Sequence, residues 1–239
     1  MTGELFTATP GGGILYDASL ARKPDAAWFT KSYWSTRGSL QEVSGGRGSV
    51  CFLRSDLGDW VLRHYRRGGF IARISQDRYF WTGQSNTRSF AEWRLLAQLR
   101  RWELPVPEPV AASYERYGFT YRADLITREL PKSITLTRAL VKTISEGQWQ
   151  AIGATIARFH ERGVHHADLN ANNILLGTSG TVYVLDFDRG TIRSRGAWEQ
   201  RVLERLHRSL QKVSVRDGSS FTTREWNWLM QGYLDKITR

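Results

Sequence analysis

Cysteine is all but missing from this chain of 239 residues: Cys51 stands alone. No internal disulfide can form, which fits a reducing compartment such as the cytoplasm. No apolar run approaches the roughly 20 residues that a membrane-spanning helix needs. Met1 to Pro10 has neither the basic start nor the apolar core of a signal peptide. Lysine is scarce as well, with 6 residues against 28 arginines. Apolar residues make up 41% of the chain, enough for one large core or two smaller ones in a soluble globular protein.

Charge of one sign is in excess, at net +11. Residues 1–130 carry 18 basic and 13 acidic side chains, and residues 131–239 carry 16 and 10. There is therefore no basic tail; the excess is spread along the chain. Guanidinium forks hold phosphate and carboxylate groups through two parallel hydrogen bonds, so an anionic partner is expected, either nucleic acid or an anionic lipid surface. A genome that favours Arg codons would give the same excess without any partner.

Two motifs carry chemistry. His166-Ala167-Asp168-Leu169-Asn170-Ala171-Asn172-Asn173 sets an Asp and an Asn five residues apart in a short polar loop, and the apolar run Ile174-Leu175-Leu176 follows at once. Downstream, Val182-Tyr183-Val184-Leu185 runs into Asp186-Phe187-Asp188, an apolar strand that delivers a carboxylate at its end. In this order they read as H-x-D-x-x-x-x-N and then D-F-x, the catalytic and metal-binding loops of protein-kinase-like phosphotransferases. Phosphoryl transfer is mostly positioning and charge neutralisation. Asp168 can accept a hydrogen bond from an attacking hydroxyl and take its proton late. Mg²⁺ wants hard oxygen ligands and keeps several waters, so the Asn173 amide oxygen and the Asp186 carboxylate suffice beside the phosphates of ATP. The bland alternative is a polar hairpin whose Asp and Asn only make turn hydrogen bonds. His166 is expected to buttress the loop and His165 to pack. No Cys or carboxylate lies near them at zinc-ligand spacing.

Upstream, Pro24 to Gly38 holds Trp28, Phe29, Tyr33 and Trp34 and is expected to form a short helix on an N-terminal sheet, with a lipid-facing aromatic patch as the alternative. Gln41 to Tyr65 reads as three strands. Their first turn, Ser44-Gly45-Gly46-Arg47-Gly48-Ser49-Val50, could let backbone amides approach ATP phosphates, which makes Gly46, Gly48 and Val50 nucleotide candidates. In the third strand, period-2 alternation puts Val61 and Arg63 on one face, towards adenine and phosphates respectively. Arg63 occupies the place of the usual kinase Lys. Ser89 to Leu99 has helical spacing, and Glu92 near its start is the candidate partner of Arg63. Leu104 to Pro109 is a Pro-rich connection. Phe119-Thr120-Tyr121 and Ala123 to Thr127 are expected to be a strand pair. Thr127 to Pro131, with Glu129, is the expected hinge against adenine. Gln148 to Glu161 reads as an amphipathic helix stopped by Gly163, and Leu175 is expected to pack under the adenine ring.

Only 53 residues follow Asp186, and no A-P-E sequence occurs among them. Trp198, Val202, Leu206 and Leu210 recur at i+4, so a helix starts early, and Arg224 to Ile237 forms another. A peptide-docking platform is therefore not expected. Arg189, Arg193 and Arg195 crowd the connecting loop and are candidate ligands of an anionic acceptor, with solvated charges as the other reading.

The motifs named so far, with Val61 to Gly69, Pro105-Val106-Pro107-Glu108-Pro109 and Asp186-Phe187-Asp188-Arg189-Gly190, resemble the lipopolysaccharide sugar kinases, most of all those acting on 3-deoxy-D-manno-octulosonic acid (Kdo). The likeness runs over about residues 25–215. It implies an α+β, two-lobed protein-kinase-like fold. Residues 1–130 would form a nucleotide-binding lobe, an antiparallel sheet with one main helix; residues 131–239 would form a small, mostly helical catalytic lobe. It further implies ATP and Mg²⁺, Asp168 as the active-site base, and phosphorylation of the Kdo 4-hydroxyl on Kdo-lipid IVA. Peripheral contact with the anionic cytoplasmic face of the bacterial inner membrane would follow, and no nucleic acid is expected. Arg63, unusual among kinases, suits this family. The alternatives are a kinase of core heptose, a small RNA-associated kinase, or a catalytically silent kinase fold that binds RNA or membrane.

Overall fold

Alternation of apolar and polar residues builds the first half. In Val50–Ser55 and Gly58–His64, Cys51, Leu53, Trp60 and Leu62 point to a buried face, while Val61 and Arg63 point to the other. The computed structural model describes residues 3–42, 50–66, 77–130, 132–218 and 221–238. The chain forms two compact units, one of residues 1–101 and 107–129, the other of residues 102–106 and 130–239. Short helices and an antiparallel sheet in the first, and a mainly helical second, make this the α+β fold of the kinase-like class.

The strands of the first unit are β1 (Glu4–Thr9), β2 (Gly12–Asp17), β3 (Leu40–Glu42), β4 (Val50–Ser55), β5 (Gly58–His64), β6 (Tyr79–Phe80), β7 (Pro109–Tyr117) and β8 (Thr120–Arg128). They form one antiparallel sheet in the order β1-β2-β7-β8-β5-β4-β3, with β6 on the end of β8. One face is closed by an aromatic cluster. Trp28 and Trp34 lie 5.3 and 5.9 Å from the Trp60 ring, and Trp34 comes from α1 (Lys31–Ser35). The Pro24–Gly38 aromatics therefore serve the core, and Trp34 is buried, not lipid-facing. The other face takes α2 (Arg88–Arg101), the expected helix, which buries Phe90, Trp93, Leu96 and Leu99.

Two features differ from the sequence-based expectation. Phe119 to Thr127 does not make a strand pair: Thr120–Arg128 is one strand, and its partner is Pro109–Tyr117. Gly118, in the left-handed region at φ +59°, supplies the tight turn between them. Arg122, which reads as a break, is an ordinary strand position whose guanidinium meets Asp77 at 2.7 Å. Residues 102–106 group with the second unit, because the Val184 N–H donates to the Pro105 carbonyl at 3.0 Å and Arg158 donates to the Glu103 carbonyl at 2.7 Å.

In the second unit, β9 (Ser133–Thr135), β11 (Ile174–Gly177) and β12 (Val182–Val184) form a small sheet, and β10 (Val164–His165) pairs with β13 (Thr191–Ile192). The helices are α3 (Leu136–Ala139), α4 (Glu146–Glu161), α5 (Trp198–Asp217) and α6 (Thr223–Ile237). α4 starts at a Ser145/Gln148 capping box, and α6 at a Thr222/Glu225 one. The two helices cross at glycines. A Cβ on Gly153 would lie 1.9 Å from the Leu229 carbonyl oxygen, and one on Gly232 would lie 2.1 Å from that of Gln150. α5 buries Trp198, Val202, Leu206 and Leu210 along the expected stripe. Among the described residues, no helix is long and apolar enough to cross a membrane.

Candidate active site

The loop from β10 to β11 carries the first motif. Its apolar residues, Leu169 and Ala171, are buried and anchor it, so Asp168, Asn170 and Asn172 are turned outward. Main-chain groups are then satisfied locally. The Asp168 carbonyl accepts from Asn170 Nδ2 at 2.8 Å and from Asn173 Nδ2 at 3.0 Å. Asn170 Oδ1 takes the Asn172 N–H at 2.9 Å, and Ser209 Oγ on α5 takes the Ala171 N–H at 3.2 Å. Commitment of Asn173 Nδ2 to the backbone makes the amide oxygen the end that can face a cation.

His166 joins this loop to the second motif. Its Nδ1 accepts the Asp168 N–H at 3.1 Å while its Nε2 lies 2.7 Å from the Leu185 carbonyl. One acceptor and one donor define a neutral imidazole protonated on Nε2. Burial, the largest influence, holds its pKa below the usual histidine value, in keeping with that neutral form. Leu185 is gripped from both sides, since its N–H donates to the Asn173 carbonyl at 2.8 Å. The next residue, Asp186, is thus tied to both ends of the first motif. Asp186 sits in the left-handed region at φ +62°, a conformation Asp adopts more readily than most residues and one that recurs at functional sites. Phe187 is buried between the Phe159 and His166 rings, at 5.6 and 4.8 Å, and locks the position of Asp186. Asp168, Asn173 and Asp186 are therefore brought together by short-range hydrogen bonding within one unit.

In the first unit, Val50 lies directly opposite Arg63 across the β4–β5 ladder, so Val50, Val61 and Arg63 share a face. Arg63 forms an ion pair with Glu92 from α2, and the Tyr65 hydroxyl donates to the same carboxylate. Glu92 is almost fully buried, and partnering by a cation and a hydroxyl is what makes that tolerable. Glu129 ends the unit, with its N–H on the Asp59 carbonyl at 2.9 Å. Leu175 lies in the second unit, in β11 opposite Thr135 and Tyr183. Gly46 and Gly48 lie outside the described residues.

Among the loop arginines, Arg195 is paired with both carboxylate oxygens of Glu199, at 2.9 and 3.0 Å. Arg193 bonds Thr191 Oγ1 at 2.9 Å, and Arg189 is exposed at φ +62°. Sequence reasoning missed Arg205. From α5 its guanidinium pairs with the Asp168 carboxylate. The i+4 spacing of Arg205 with Arg201 and Ser209 marks one flank of α5, but local spacing does not name Asp168 as the partner.

The profile of the lipopolysaccharide kinase (Kdo/WaaP) family matches residues 31–233. The chain belongs to that family. It is similar to a 3-deoxy-D-manno-octulosonic acid kinase of Xylella fastidiosa (strain M12), 42% identical over 93% of this chain and 89% of the relative. A protein of the same name from Xanthomonas axonopodis pv. citri (strain 306) is 45% identical over 84% of this chain and 81% of the relative. One from Xanthomonas oryzae pv. oryzae (strain PXO99A) is 41% identical over 93% and 89%. As a member of a lipopolysaccharide kinase family, the chain is a phosphotransferase, and a kinase implies ATP as donor.

Proposed function

We propose that this lipopolysaccharide kinase transfers the γ-phosphate of ATP to the 4-hydroxyl of Kdo on Kdo-lipid IVA. The reading is carried by the bracketing of Leu185, which ties Asp186 to the loop holding Asp168 and Asn173. The relatives' name supplies the acceptor sugar. In the transfer, the acceptor oxygen forms a bond to the γ-phosphorus, the bond from that phosphorus to the β,γ-bridging oxygen breaks, and ADP leaves. The hydroxyl proton passes to the Asp168 carboxylate, which first aims the hydroxyl. Asn173 Oδ1 and the Asp186 carboxylate are a hard-oxygen pair that fits Mg²⁺. Bound there, that ion would neutralise charge on the ATP phosphates. Val50, Val61 and the Arg63–Glu92 pair, with Gly46 and Gly48 nearby in sequence, serve the nucleotide, as do Glu129 and Leu175. A lipid acceptor and the arginine-rich surface support peripheral attachment to the anionic cytoplasmic face of the inner membrane, worth about 1 kcal/mol per well-placed Lys or Arg.

Incubation of the protein with labelled ATP and a panel of lipid A precursors, with and without Kdo and core heptose, tests the acceptor. Label is expected on Kdo-lipid IVA, and label on heptose alone would make this a core heptose kinase. Asp168→Ala is expected to abolish transfer while leaving ATP binding in place. Unchanged turnover by that variant ends the assignment of Asp168.

A further inference from the structure

Arg205 is a costly residue to explain by stability alone. Its side chain and that of Asp168 are 50% and 58% exposed, and ion pairs in such surroundings contribute on the order of 1 kcal/mol or less. Yet the contact is not left to chance. Ser209, one helical turn along α5, holds the Ala171 N–H, so the helix is registered against the loop and Arg205 is aimed at Asp168. The pairing uses one guanidinium nitrogen and one carboxylate oxygen, which leaves the rest of a five-donor fork beside the group that must receive the acceptor hydroxyl. Arg201, on the same flank of α5, and Arg193 both lower the proton affinity of the adjacent His165, after the larger effect of its burial.

We infer that Arg205 binds an anionic group of the acceptor, the carboxylate of the sugar acid, and so sets the reacting hydroxyl against Asp168. The inference rests on the function proposed above and adds the residue that would choose an acidic sugar over a neutral one. A guanidinium shared between Asp168 and the acceptor carboxylate fixes the distance between base and hydroxyl, which is the kind of positioning that gives large rate effects. Binding of a phosphate of the lipid would draw on the same chemistry, so the acceptor must be varied as well as the enzyme.

The test is steady-state kinetics of the wild type, Arg205→Ala, Arg205→Lys and a charge-matched control on α2, Arg100→Ala. Each is given ATP with Kdo-lipid IVA, with its Kdo methyl ester, and with its dephosphorylated form. All four proteins should share one melting temperature, since both arginines are exposed. Expected for Arg205→Ala is an acceptor KM raised at least tenfold on Kdo-lipid IVA, an ATP KM within twofold of wild type, and no difference from wild type on the methyl ester. Arg205→Lys should fall between, and Arg100→Ala should match wild type. An equal loss on acid and ester, or a fall in kcat with acceptor KM unchanged, would overturn the inference and leave Arg205 as a support for Asp168. A loss that persists on the ester and vanishes on the dephosphorylated lipid would overturn it in favour of a phosphate. If the wild type transfers phosphate to no Kdo acceptor, the proposed function fails and this inference with it. Turnover by wild type, matched by Arg205→Ala on every acceptor, sinks the inference alone.

Discussion

The Asn173 side chain has two ends with different tasks, and so does His166. In each, one end is spent on the main chain of the loop that carries Asp168, and that commitment sets how the rest of the group is presented. Arg63 works similarly in the first unit, where its guanidinium is divided between Glu92 and the Tyr65 hydroxyl, the latter at 3.1 Å. Arg63→Ala removes the cationic partner of a buried carboxylate, to which Tyr65 still donates. It should lower the melting temperature and raise the ATP KM about tenfold, the scale of one lost charge-assisted hydrogen bond. The acceptor KM should stay as it was. An ATP KM and kcat equal to wild type would show that β5 does not serve the nucleotide. The pairing of Arg63 with Glu92 was legible from strand alternation and from the place of Glu92 near a helix start. Arg205 was not, because its partner lies 37 residues earlier and nothing in local spacing names it.

Among elements, α4 and α6 are held by contact between backbones, which only residues without a Cβ permit. Gly153→Ala gains helix propensity worth up to about 1 kcal/mol. It also forces α6 off its seat, because the new methyl would fall 1.9 Å from the Leu229 carbonyl oxygen. The net result should be a loss of about 2 kcal/mol, seen as a fall in melting temperature of roughly 4–8 °C. Gly147→Ala, in the same helix with nothing near its Cβ, should melt at or above wild type. Melting of Gly153→Ala at the wild-type temperature would show that the helices do not cross this closely. The helices themselves were readable from periodicity, α4, α5 and α6 among them. The β1–β2 hairpin was not anticipated, since β1 exposes nearly every residue and carries no period-2 signal.

For the whole molecule, pH and salt act through different charges. His160 is buried, bonds the Tyr233 hydroxyl at 2.8 Å, and has its pKa lowered to about 4, chiefly by burial. His166 is shifted in the same direction. Below pH 6.5 the unfolded chain protonates these rings while the folded one does not, so protons favour unfolding. Stability should therefore fall as pH drops from about 6.5 towards 4, by up to about 3 kcal/mol from His160. His64 is raised by its hydrogen bond to Asp124 and acts oppositely, adding stability at low pH that is lost as pH rises through its folded value. Urea midpoints measured from pH 7.5 to 4.5 check the sum, and His160→Phe should flatten the acid limb. An acid limb left unchanged by His160→Phe would show that this ring is not held neutral. Salt acts on the exposed arginines instead. Binding to anionic vesicles should weaken steeply between 0.05 and roughly 0.5 M salt as the Debye length shrinks, and salt-independent binding would point to apolar insertion.

The sequence by itself determined the phosphotransferase class and the order of the main strands and helices, and it singled out Asp168, Asn173 and Asp186 as candidates, because each depends on residues close together in the chain. Tertiary structure alone decided that Arg205 reaches Asp168, that residues 102–106 join the second unit, and that two glycines let α4 and α6 touch. Those outcomes turn on which distant groups meet, and local spacing does not encode that.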